Sequence, residues 1–277
     1  GIKMYVSVAV MDTGIFRHMD FDTRIAGFAD FVGRKKYLYD DNGHGTHVAG
    51  IIAGSGKGSN GKYRGIAPDT FLVSVKVLDK SGNGKIENVV EAAGWIIENK
   101  SAMNIRVVNI SFGTRAKMEN GPAIETGEDD YALIMAVEKM WDSGIVVVAA
   151  AGNNGPGNAS VTAPGISKKI ITVGAFDDKN FFSGRGPTRE CIVKPEVVVT
   201  GSNIIACNNH QGRYSSKSGT SMAAPVVSGA VARLIKNNPD ITPKEVKIWM
   251  KSCCKKINVP SEKQGWGVLD IRKFVTG

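Results

Sequence analysis

Apolar and polar positions along the chain follow two rhythms. Residues 5–10 alternate and run into an acid, the pattern of a strand that ends at a sheet edge. Residues 71–78 and Ile105–Ile110 read as further strands. Residues 145–151 hold no polar position, as expected of a strand buried on both faces. Residues 170–173 and Val197–Val199 read as short strands. Helical spacing fills the intervals. His44–Ala53 follows the turn Asp40-Asp41-Asn42-Gly43, and Ile86–Asn99 repeats through Val89, Val90, Ala93 and Ile97. Residues 131–141 repeat through Leu133, Ile134, Val137 and Met140. Residues 221–236 and 243–251 form two late helices, the second with Thr242 as N-cap and Pro243 at its first position. Strands that alternate with helices predict an α/β fold, a mostly parallel sheet between two helix layers. No repeat or linker interrupts the 277 residues, so a single domain spanning 1–277 is expected.

Composition narrows the class. Hydrophobic residues at 42% and charged residues at 22% exclude a disordered chain. The apolar run 145–151 is far shorter than the ~18 residues of a membrane span, so no span is expected. The chain starts at Gly1, and the apolar stretch 5–11 is broken by Ser7 and stopped by Asp12. It reads as a strand, not a signal peptide, and no targeting or pro-segment is expected within these residues.

Lys and Arg exceed Asp and Glu by 35 to 26, a net +9. Ten basic and four acidic residues lie between Arg233 and Gly277, a local +6. Lys244, Lys247, Lys251 and Lys255 fall at helical positions with few aromatics between them. That pattern is a solvated helix face, and no nucleic-acid partner is expected. The four Cys show no CxxC or zinc spacing, and Cys253 and Cys254 are adjacent. Free thiols are expected, which favours a reducing, cytoplasmic compartment over secretion.

In a parallel sheet, function collects at the carboxyl ends of strands. Asp12, Ser111 and Asn153 follow three predicted strands and should share one edge. Three segments carry candidate chemistry: Met11-Asp12-Thr13-Gly14, Asn42-Gly43-His44-Gly45-Thr46-His47, and Gly219-Thr220-Ser221-Met222-Ala223. Together they supply a carboxylate, an imidazole and a hydroxyl. A serine hydroxyl is a poor nucleophile until a base takes its proton. Histidine serves near neutral pH, and a carboxylate behind it fixes the tautomer. His44 and Ser221 both fall at predicted helix starts, where the helix dipole favours developing negative charge.

These segments, in the order Asp, His, Ser, resemble the catalytic blocks of the subtilisin family of serine endopeptidases, the subtilases. A fourth block, Ala149-Ala150-Ala151-Gly152-Asn153-Asn154-Gly155-Pro156, is similar to the family's oxyanion segment. The resemblance runs over about residues 6–269 and is closest to bacterial members of a group that includes intracellular enzymes. It implies a subtilisin-like three-layer α/β/α fold and hydrolysis of peptide bonds through an acyl-enzyme. Asp12 would orient His44, His44 would act as base, and Ser221 as nucleophile. Asn153 would donate to the oxyanion together with the Ser221 N–H. Ser111, Phe112 and Gly113 would pair with the substrate backbone. Ala150, Ala151 and Gly152 would line the other wall of the primary specificity pocket, with Thr162 making its floor shallower where the family often has Gly.

The chemistry so implied needs no cofactor. Many members hold calcium, but the N-terminal arm that helps bind it is not expected within these residues, and residues 55–61 do not resemble the calcium loop. Glu196 is the one weaker cation candidate. Protein or peptide substrates are the expected partners, with a pro-segment or protein inhibitor as further ones, and a monomer is expected. The alternative reading is a catalytically silent subtilase-like binding module. His47 reads as a structural helix residue, and His18 and His210, which carry no motif, are expected at the surface. Residues 114–131 hold Glu119, Glu125, Glu128, Asp129 and Asp130 against Arg115 and Lys117. That acidic loop would favour basic side chains upstream of the scissile bond.

Overall fold

The strands of the main sheet are short, and all of the first seven but the second are largely buried, so together they build the centre of the molecule. The computed structural model describes residues 5–114, 128–179 and 182–277. In chain order its first half contains β1 (Ser7–Asp12), β2 (Ile25–Asp30), α1 (His44–Ala53), β3 (Phe71–Lys76), α2 (Ile86–Asn99), β4 (Ile105–Ile110) and α3 (Glu128–Asp142). Next come β5 (Val146–Ala150), β6 (Ile171–Ala175), β7 (Val197–Val199) and the pair β8 (Ile204–Cys207) and β9 (Tyr214–Lys217). The C-terminal part holds α4 (Thr220–Asn237), α5 (Pro243–Ser252), β10 (Cys254–Lys255), α6 (Ser261–Gln264), β11 (Val268–Leu269) and α7 (Ile271–Phe274).

The main sheet has the order β10-β11-β7-β6-β5-β4-β1-β3-β2. All its pairings are parallel except β10 with β11. Side chains of β1 divide between the two faces, as the period of two requires. Val8 and Val10 join a core with α1 and α4 residues such as Val48 and Val227, while Ala9 and Met11 join one with Ile96 of α2 and Val137 of α3. The expected three-layer α/β/α arrangement therefore follows from burial on both faces.

Helix limits agree closely with the spacing pattern. The Thr242 hydroxyl accepts from the Glu245 N–H, and the Glu245 carboxylate accepts from the Thr242 N–H, closing a capping box at α5. β1 extends to Asp12, so that residue ends the strand rather than following it. α3 starts at Glu128, three residues ahead of the periodic region. Within the acidic segment 114–131, residues 115–127 lie outside the described residues. β2, β8 and β9 have no counterpart in the sequence reading. β2 is an edge strand with mostly half-exposed positions, and β9 is Tyr-Ser-Ser-Lys, so neither carries an apolar rhythm.

The order of the sheet sets the place of the site. From β1 the chain moves to β2 and β3 on one side and to β4, β5 and β6 on the other. Such a reversal opens a crevice beyond the carboxyl ends of the strands at that point.

Candidate active site

Asp12 is fully buried at the carboxyl end of β1. Its Oδ1 accepts from the Thr13 N–H at 2.7 Å and from His44 Nδ1 at 2.7 Å, and Oδ2 lies 2.9 Å from the same nitrogen. The carboxylate thus fixes the Nδ1–H tautomer and leaves Nε2 as acceptor. Burial pulls the His44 pKa down, but the charge and hydrogen bond of Asp12 outweigh it, and the net shift is upward. Lys217 lowers it and Asp40 raises it by smaller amounts. About a quarter of the imidazole surface, 26%, stays open to the cleft.

The approach of His44 to Asp12 depends on Gly45. A Cβ there would collide with the Gly14 carbonyl and stand 3.1 Å from Asp12 Cβ. Asp40 stitches the two segments together. Its Oδ1 accepts from Thr13 Oγ1 at 2.9 Å, from the Asn42 N–H at 3.1 Å and from the Gly43 N–H at 2.8 Å. Its Oδ2 accepts from Thr46 N and Oγ1, and Thr13 Oγ1 in turn accepts from the Gly45 N–H. Buried Lys76 holds the other side, donating to the carbonyls of Thr13 and Leu78 and to Asp41. The sequence reading took Asp40 only as a turn residue. Its place four positions ahead of a helix-starting His, with Asn42 and Gly43 between, is the signal that was available.

Ser221 is the second residue of α4. Its Oγ donates to the Ser111 carbonyl at 2.7 Å, and Ser111 Oγ donates back to the Ser221 carbonyl at 2.9 Å. Ser111 directly follows β4, which pairs with β1 through Met11 and Ile110, so Asp12 and Ser111 end adjacent strands. Asn109 Nδ2 donates to Ser111 Oγ, and Ser228 Oγ donates to Asn109 Oδ1. This buried polar relay ties α4 to β4. Asn109 was missed in sequence because it sits inside an apolar run, and a lone amide in such a run was its only mark.

Asn153 follows β5, and its Oδ1 accepts from both the N–H and the hydroxyl of Thr220 at 3.0 Å. Thr220 Oγ1 also accepts from the Gly152 N–H at 3.1 Å. The amide is thereby oriented with Nδ2 free to donate. The Ser221 N–H lies in the first turn of α4, where backbone donors have no intrahelical partner. Two donors are therefore available beside the Ser221 hydroxyl.

Gly113 and Gly152 face one another across Thr162. A Cβ on Gly113 would collide with Thr162 Oγ1, and one on Gly152 would stand 2.7 Å from it. The Thr162 hydroxyl is buried and, among the described residues, has no hydrogen-bond partner. The Thr162 N–H donates to the Ala151 carbonyl at 3.2 Å, and Ala150 and Ala151 are buried behind Gly152. Phe112 packs on the α2–α3 side of the core.

The cation candidate Glu196 is corrected by its surroundings. Its carboxylate accepts from the Thr172 N–H at 2.8 Å and lies 2.8 Å from Lys194 Nζ and 2.9 Å from Lys247 Nζ. Two ammonium groups already balance it, so a metal ion there would meet positive charge. Burial lowers the Lys194 pKa to about 8 against the pull of Glu196. Around residues 55–61, the N–H groups of Gly56 and Gly58 point at Asp20.

His47 is buried, with Nε2 bonded to the carbonyls of Ile204 and Ser215, and burial lowers its pKa to about 4. It holds α1 to the β8–β9 hairpin. His210 is exposed. His18, expected at the surface, is 2% exposed instead. The turn after Phe16 folds it against Tyr214, with Nε2 bonded to the Arg213 carbonyl. All four cysteines are unbridged.

An acid–imidazole pair, a serine at a helix start and two free donors at one sheet edge make the equipment of a serine hydrolase with a Ser–His–Asp constellation. The Subtilase family model matches residues 4–267, and the chain belongs to that family. Serine protease AprX of Bacillus subtilis (strain 168) is 42% identical over 89% of this chain and 60% of its own length. Subtilisin Savinase of Lederbergia lenta is 34% identical over 89% of this chain and 82% of the relative. Among solved structures, a cold adapted subtilisin-like serine proteinase superposes with a TM-score of 0.77 at 30% identity, covering 96% of this chain and 87% of the other.

Proposed function

We propose that this chain is a serine endopeptidase, a single catalytic domain that cleaves proteins through an acyl-enzyme. The Asp12–His44 bond at 2.7 Å, set beside Ser221 at one sheet edge, carries this reading. The Ser221 hydroxyl, resting on the Ser111 carbonyl, turns about χ1 to His44 Nε2. Its Oγ attacks the scissile carbonyl carbon as its proton passes to Nε2, and Asp12 stabilises the imidazolium. The oxyanion accepts from Asn153 Nδ2 and the Ser221 N–H. His44 then protonates the leaving amine, the C–N bond breaks, and water repeats the sequence on the acyl-enzyme. No step uses a metal or organic cofactor.

Thr162 sets the substrate class at the residue before the scissile bond. Its methyl and hydroxyl occupy the space between Gly113 and Gly152, which supports a preference for small side chains there. The unpartnered hydroxyl also offers a hydrogen bond to a small polar side chain. Substrates are proteins or peptides, and the enzyme works as a monomer.

A fluorophosphonate probe tests the reading, because it adds covalently only to an activated serine. Mass spectrometry should find one adduct, on Ser221, and casein hydrolysis should stop in proportion. Absence of the adduct in protein with native circular dichroism would instead support a silent binding module.

A further inference from the structure

A groove of about 440 Å³ lies on the far side of the molecule. Trp141 lies in the last turn of α3 just before β5 begins, and Lys168 precedes β6. Both strands run parallel toward the catalytic edge, so this groove lies at their amino ends, opposite the triad. Its apolar floor is formed by Trp141, Trp266 and Ile248 of α5. Ile248 is 61% exposed, which is unusual for a large aliphatic side chain on a helix that packs on a core.

The charges around this floor are not equivalent. Lys247 is consumed by the protein, donating to the carbonyls of Lys168, Lys169 and Ile170 and pairing with Glu196. Lys169 pairs with Asp142 and Glu138. Among the described residues, Lys244 and Lys251 have no carboxylate partner, although Lys251 stands 5.9 Å above the Trp266 ring. Lys244, Ile248 and Lys251 are four and then three residues apart, so they share one face of α5. Seven residues of helix place the two lysines about 10 Å apart along its axis. In an extended peptide, residues four positions apart face the same side about 13 Å apart, within reach of two long lysine side chains.

We propose that this groove is an exosite for an acidic, extended segment of a protein substrate. Two carboxylates four positions apart would meet Lys244 and Lys251. An aromatic or large aliphatic residue midway between them faces the same side and would lie on Ile248 between the two tryptophans. Tryptophan-walled pockets concentrate binding energy, and complementary charge sets register and speeds encounter. Because the groove faces away from the triad, it selects proteins by a segment remote from the cleaved bond. Only this assignment of the segment to a substrate rests on the endopeptidase reading; the binding itself does not.

The test uses Ser221→Ala protein, which leaves the probe uncut, and tryptophan emission as readout. The probe is an acetylated octapeptide with glutamates at its second and sixth positions and phenylalanine at its fourth. Saturable binding is expected, at least tenfold weaker for the glutamine version and weaker with added salt. Lys244→Glu with Lys251→Glu should lower affinity at least tenfold. In the parent enzyme the same two changes should leave hydrolysis of a short uncharged peptide unaltered and slow cleavage of a protein bearing the acidic segment. Equal binding of the glutamine peptide, or unchanged affinity in the lysine variant, overturns the proposal. So does a polyanion such as polyphosphate binding in the groove when the peptide does not. Loss of all hydrolysis with peptide binding intact would overturn the endopeptidase reading alone.

Discussion

Thr220 donates both its N–H and its hydroxyl to Oδ1 of Asn153, each at 3.0 Å. The amide oxygen is thereby occupied and the amide nitrogen must face outward. An oxyanion donor is useful only if it is aimed before charge develops, since reorienting it during the reaction would cost energy.

Removing the donor should therefore damage turnover far more than substrate affinity. Asn153→Ala is expected to cost about 3 kcal/mol of transition-state stabilisation, the magnitude known from the same family. Thr220→Val loses the hydroxyl's bond to Asn153 Oδ1 and the one it accepts from the Gly152 N–H, and should lower kcat about tenfold. Steady-state kinetics on one peptide substrate check both. A defect confined to KM would contradict the assignment.

Ser221→Ala should lower turnover about a millionfold, again the scale known from this family. Ser111→Ala keeps the Ser111 carbonyl that holds the Ser221 hydroxyl and loses the return bond and the one accepted from Asn109, so its effect on turnover should be far smaller. Burst titration of pure protein separates residual catalysis from contamination. More than a few per cent of activity in Ser221→Ala would remove the residue from the nucleophile's role.

The pH profile follows from His44, which acts as base only when neutral. Its pKa is raised above 6.5, so kcat/KM should fall with a midpoint above that value as the pH is lowered. Lys217 lowers this pKa, and Lys217→Gln should move the acid limb to higher pH. The profile should shift less at high salt, where exposed charge is screened. A shift to lower pH would refute the electrostatic account.

Thr162→Gly should open the specificity pocket. Cleavage after large apolar residues should rise relative to cleavage after alanine by about tenfold or more, the scale of one or two methylene groups. A peptide library profiled before and after the change would reveal it. An unchanged profile would place the pocket floor elsewhere.

His47 links stability to pH. Its pKa is about 4 in the folded protein against 6.5 unfolded, so the unfolded chain binds the proton more tightly between these values. The stabilisation is complete above pH 6.5 and is lost as pH falls toward 4, an effect of about 3 kcal/mol. His47→Gln keeps a donor for the Ile204 and Ser215 carbonyls and should flatten the dependence of Tm on pH in that window. An unaltered slope would assign the acid sensitivity to other groups.

The sequence by itself determined the layers and the order of the central elements along the chain, and it singled out Asp12, His44, Ser221 and Asn153 as the candidates for chemistry. Buried parallel strands need unbroken apolar runs, helices need their 3.6-residue stripe, and chemistry with few substitutes leaves compact motifs. Those constraints are local and stand in the chain as written. Tertiary structure alone decided the rest. Lys76, Asn109 and Thr220 matter through partners far away in sequence, such as Thr13, Ser228 and Asn153, and nothing adjacent to them records those partners. Glu196 looked free for a cation until folding brought Lys194 and Lys247 against it, and His18 looked superficial until Tyr214 covered it. The lysines of α5 read as a solvated face, and only the packing of Trp141 and Trp266 beside Ile248 turned that face into a groove. Long-range pairing decides such cases because hydrogen-bond capacity and charge are spent between elements, not within them.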